Sequence, residues 1–191
     1  MQKKIYGLAL GAALLVSVPI SADWLAEPPS ATEVTGGAVS ASYSLTSAQY
    51  VHMDLSAEGA GSAALTFGLR NNKTPLLKIS PLPIQTYMQN SGSANTVNVS
   101  ITPFLNTSTG ARYYIIQSGA VGGCRIIAWK DRTFKELFDA SSVPGNWTSA
   151  EIAVRKTDLL LTLKSSSGTA AGYSLQWDGK AGTFKAVLIQ S

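Results

Sequence analysis

Two stretches of this chain carry the same phrase, and that repetition constrains the fold more than any other feature. "CRIIAWKDRTFKELF" starts at Cys124 and "GYSLQWDGKAGTFKAVLI" at Gly172. Each runs through apolar-alternating residues to a Trp, crosses a charged turn, and resumes with Thr-Phe-Lys. Setting Trp129 on Trp177 brings Ile127 onto Leu175 and Thr133-Phe134-Lys135 onto Thr183-Phe184-Lys185, with a small length difference falling in the turn. Further back, "ARYYIIQSGAVGG" matches "DLLLTLKSSSGTAAG", and "TVNVSITPF" matches "AEIAVR". Each unit reads as four strands in up-and-down order. Internal repeats of this length are units that cannot cover their own apolar face and pack on one another to do so.

A fainter third copy lies upstream. "AVSASYSL" and "QYVHMDLS" make a first hairpin, "AEGAG" a loop, and "SAALTFGL" and "TPLLKIS" complete the unit, with Phe67 near the Trp position. Alternation in "YSLQWD" is that of a half-buried strand, whereas "LLLTL" and "YYII" suit strands covered on both faces. Short strands punctuated by Gly, Ser, Asn and Asp argue for an all-β domain. The expectation is three four-stranded antiparallel meanders, at about 38–80, 96–142 and 149–191, packed as one propeller-like or β-trefoil-like domain over 38–191. The recurrent Trp and Phe are expected as core anchors. "PLPIQTYMQNSGSAN" is expected as a polar connector, and 23–37 as a flexible N-terminal arm.

Residues 1–22 have the layout of a secretory signal peptide. Lys3 and Lys4 precede the apolar run "IYGLALGAALLVSVPI", Pro19 breaks it, and Ser21-Ala22 are small residues before Asp23. The run is shorter than the ~20 residues a membrane span needs. Export to the periplasm or outside a bacterial cell is expected, with no membrane span once the leader is cleaved. Without Lys3 and Lys4 the formal charge falls from +4 to +2, so the balance excludes a strongly basic nucleic-acid binder. A single cysteine, Cys124, rules out an intramolecular disulfide and reads as a small apolar core residue.

The order of strand, Gly/Ser loop, strand, Trp-Asp-Gly turn and Thr-Phe-Lys strand resembles blade repeats of the FG-GAP and VCBS type, found in many exported bacterial proteins. That resemblance covers most of 96–191 and implies a propeller-like packing. The acidic residues in the loops, such as Asp131 and Asp178, are isolated, whereas calcium needs several converging oxygens. No metal and no cofactor are expected.

Catalytic constellations are sparse. His52 is the only histidine, and alternation in "YVHMDLS" puts it on one strand face with Asp54, the one place for an unorthodox hydrolase site. Nothing singles out a carboxylate pair among Glu136, Asp139 and Glu151. The expectation is therefore a non-enzymatic binding protein of the bacterial envelope. Its partner would be another protein, such as a cell-wall hydrolase held by an inhibitor or immunity protein; a glycan-binding module is the alternative. The candidate contact residues are Trp147 and Asn146 in "VPGNW", and Ser167 and Tyr173 in "SSSGTAAGY". One type of periplasmic lysozyme inhibitor uses a Ser-Gly-x-x-Tyr loop; here Tyr173 follows Ser167-Gly168 at a longer spacing, so that motif is missing.

Overall fold

The computed structural model describes the backbone of residues 24–26, 30–35, 40–54, 61–84, 86–88, 95–107 and 109–189, with side chains for 42–54, 61–84, 99–107 and 109–189. The expected signal peptide lies outside the described residues. In chain order the strands are β1 (Trp24–Ala26), β2 (Ser30–Thr35), β3 (Ser40–Ser44), β4 (Gln49–Asp54), β5 (Ser62–Leu69), β6 (Leu77–Pro83), β7 (Thr86–Met88), β8 (Asn95–Asn106), β9 (Arg112–Gln117), β10 (Arg125–Lys130) and β11 (Thr133–Asp139). Then follow β12 (Trp147–Val154), β13 (Leu159–Ser165), β14 (Ala170–Asp178) and β15 (Thr183–Leu188). The chain is all-β. Antiparallel meanders β3–β6, β8–β11 and β12–β15 are the three four-stranded units expected, and among the described residues no sheet closes into a barrel.

The repeated phrase is a hairpin. In both copies the Trp stands opposite the Phe, Trp129 against Phe134 and Trp177 against Phe184. Their rings meet edge to face at 4.8 Å and 5.3 Å, the geometry aromatic quadrupoles favour. The length difference sits in the turns, as expected. Asp131 and Arg132 form a two-residue turn with φ of 54° and 60°, the left-handed pair that matches strand twist. In the later copy, Asp178 Oδ1 accepts from the amides of Lys180 and Ala181 in a longer loop closed by Gly182.

Apolar packing stacks the three sheets face to face in the order β3–β6, β8–β11, β12–β15. The middle sheet is covered on both sides. Tyr114 and Ile116 of β9 pack with Val51, Leu65 and Phe67 of the first sheet. Ile115, between them, packs with Leu161 and Leu163 of the third. That is why "YYII" is continuously apolar. "LLLTL" departs from the expectation: Leu159, Leu161 and Leu163 are buried, but Leu160 and Thr162 are only half-buried. The third sheet has a neighbour on one face only.

The end of the pile at the first sheet is polar, and the other end mixes polar residues with the exposed Val187 of β15. Ser42, His52, Thr66 and Lys78 are in register on the outer face of the first sheet, and Glu151, Thr162, Gln176 and Lys185 lie on that of the third. Polar outer faces on terminal units are what stop a stack of repeats from growing.

Two expectations need adjustment. Trp177 is not a buried anchor: it is 48% exposed, beyond the cover of the middle sheet, with Phe184 buried beneath it. Phe67, by contrast, is the buried anchor expected, packed toward the middle sheet. Finally, segments expected as arm and connector pair as strands. Within 23–37, β1 and β2 run antiparallel along β8, and 86–88 pair with its start. The long β8 offers edges that backbone from either side completes.

Candidate functional site

The loop residues singled out in the sequence lie at one end of the third sheet. Trp147 pairs with Ser165, which brings Asn146 and Trp147 beside the 166–169 turn carrying Ser167. Tyr173 pairs with Leu161 farther down the strands, half-buried against the core, so it does not join them. Trp147 is itself half-buried. Its indole Nε1 donates to Pro144 O at 2.9 Å, and its ring occupies the space beside Gly145. The indole is thus bound to its own turn. Ser167 Oγ lies 2.8 Å from Ser165 Oγ and 3.3 Å from Thr169 Oγ1, so the loop hydroxyls engage one another.

A concave surface forms elsewhere, on the polar outer face of the first sheet. Ser42, Tyr43, Tyr50, His52, Thr66 and Arg70 line an open groove of about 510 Å³. Its floor follows from strand register. Ser42 is opposite His52 and His52 opposite Thr66; one step along, Ser44 is opposite Tyr50 and Tyr50 opposite Gly68. Ser42 Oγ lies 2.8 Å from His52 Nδ1. The Arg70 guanidinium donates to Ser44 Oγ, and its backbone amide donates to Ala48 O at 2.9 Å. Tyr50 lies across Gly68, where an added Cβ would stand 2.7–2.8 Å from its hydroxyl and ring atoms. The glycine makes room for an aromatic ring lying on the sheet face, a cross-strand pairing that also shields the glycine backbone.

This arrangement presents hydroxyls, an imidazole, a guanidinium and aromatic rings on a rigid floor. Asp54 follows His52 on the same face, half-buried. The Ser42–His52 distance is that of a nucleophile and its base, but both stand side by side on a pleated sheet rather than at a strained elbow. No cluster of three metal-ligating side chains exists among the described residues. A second cleft, of about 440 Å³, lies where the middle and third sheets meet, with Gln117, Glu151 and Lys164 on its walls. Gln117 is occupied there, accepting from Ile152 N at 2.9 Å. Cys124 is buried; desolvation, reinforced by Asp139 and Glu151, pushes its thiol up to about 12.

The sequence drew attention to His52 but not to Tyr50, Thr66 or Arg70. One signal was present: between residues 23 and 111 the only Lys and Arg are Arg70, Lys73 and Lys78, all on the β5–β6 hairpin. No protein-family model matches the chain, and no match was found among curated proteins or solved structures. Function is therefore read from the chemistry of the groove itself.

Proposed function

We propose that this chain is an exported, non-enzymatic binding protein that holds a saccharide on the outer face of its first sheet. The observation that carries the reading is the groove built by Ser42, Tyr50, His52, Thr66 and Arg70. Saccharides are recognised by aromatic rings against their apolar faces and by side chains that donate to and accept from hydroxyls. The groove supplies both on a floor held by four hydrogen-bonded strands. The contacts of Ser42, His52 and Arg70 fix the groove's shape, and Thr66 and Tyr50 complete its lining.

The test is retention of the full chain on immobilised polysaccharides and on envelope extract. Retention on polysaccharide that falls in Thr66→Ala and His52→Ala, with the eluted saccharide unchanged in length, supports the reading. Shortened saccharide would make the protein an enzyme. Retention of a single protein from the extract, with none on polysaccharide, would replace the saccharide reading with an inhibitor or immunity role.

A further inference from the structure

We infer that the saccharide is acidic, its carboxylates meeting a cationic rim formed by Arg70 and Lys78; this rests on the saccharide reading above. Ser42, His52, Thr66 and Lys78 form one row across β3, β4, β5 and β6, each opposite the next. Neighbouring strands are about 4.8 Å apart, close to the length of one sugar ring along a chain, so the row presents one polar group per ring. Lys78 ends the row, exposed and beyond the groove's own lining; Arg70 lies just past the end of β5, and its guanidinium reaches back to Ser44 in the row of Tyr50.

The charge on this face is one-sided. Arg70, Lys73 and Lys78 are the only cations between residues 23 and 111. Asp54 is the one carboxylate of the first sheet among the described residues, and it lies at the opposite end of β4 from Arg70. Glu136, near Lys78 on the neighbouring sheet, is already paired with Arg125 at 2.7 Å. A guanidinium presents a planar fork that fits a carboxylate in two-point contact. Here one of its donors reaches Ser44, and the Arg70 side chain lines the groove. Uronate-type sugars combine the ring faces suited to Tyr50 with the charge suited to Arg70 and Lys78.

The experiment is calorimetric titration of the full chain with oligogalacturonate, with neutral cello-oligosaccharide of equal length and with dextran sulfate. The expected result is binding of oligogalacturonate that weakens with added salt. Arg70→Ala and Lys78→Ala should each weaken it by about two- to fivefold, the range for one exposed charge contact. Gly68→Ala should weaken it as well by displacing the Tyr50 ring, whereas Lys156→Ala, at an exposed turn of the third sheet, should bind as the parent does. Equal binding of the neutral oligosaccharide overturns the acidic class and leaves the saccharide reading standing. Tighter binding of dextran sulfate overturns the carboxylate assignment. Loss of binding in Lys156→Ala alone overturns the site. Failure of all three ligands to bind overturns both this inference and the saccharide reading.

Discussion

The hydroxyl of Tyr114 donates to Gln49 Oε1 at 2.9 Å, linking the middle sheet to the first across 65 residues of sequence. Tyr114 is fully buried and Gln49 is 8% exposed. Tyr114→Phe keeps the ring and removes the donor, leaving a buried carbonyl short of a partner. The expected cost is about 1–3 kcal/mol, read as a lower urea midpoint with unchanged slope. An unchanged midpoint would mean the hydroxyl adds nothing to the joint between the sheets.

Gly123 seals the same joint from the side. Ser118 Oγ donates to Pro83 O at 2.5 Å, and a Cβ on Gly123 would stand 1.7 Å from that hydroxyl and 2.4 Å from the carbonyl. Backbone cannot yield as a side-chain tip can, so Gly123→Ala should destabilise by about 3 kcal/mol or more. Gly179→Ala, with nothing within 4 Å of its Cβ, should stay within about 0.5 kcal/mol of the parent. Thermal melts of the two variants side by side check the contrast.

The turn of the first repeated hairpin holds Arg132 at φ 60°. A left-handed conformation costs an L-residue roughly 1–2 kcal/mol, part of which glycine's greater freedom in the unfolded chain offsets. Arg132→Gly should therefore stabilise by about 0.5–1 kcal/mol, raising the melting temperature. A lower melting temperature would show that Arg132 makes an interaction worth more than the strain.

Cys124 gives a prediction in pH. Burial first, then the charges of Asp139 and Glu151, raises its thiol from 9.0 to about 12. Between those values the unfolded thiol has lost its proton and the folded one keeps it. The unfolded state binds fewer protons there, so stability falls as pH rises through the window and is fully retained below about 9. The alkaline loss of stability should be shallower in Cys124→Ala than in the parent. At pH 8 the native thiol should react with an alkylating reagent only after unfolding.

Much of this molecule is local and therefore legible. The strand order of each meander and the length difference held in the turns are set by neighbouring residues, and the structure has them as read. Phe67 is buried as expected, but Trp177 is not, because alternation names a face without saying how far a neighbouring sheet covers it. Arg70 and Lys78 escaped notice for a related reason. They are eight residues apart in sequence, and only the hairpin sets them on opposite flanks of one row.

Sequence alone determined that the chain forms three four-stranded meanders, since pleat, turn chemistry and apolar spacing act within a few residues. Only the tertiary structure decided the order of the layers and hence what each face does. The middle sheet, covered twice, needs apolar residues on both sides. The outer sheets each keep one wet face, and a side chain's neighbours there come from strands paired across the sheet. Exposure of Trp177 follows from which sheet covers which, and assembly of Tyr50, His52 and Arg70 into a groove from strands paired across a face left uncovered.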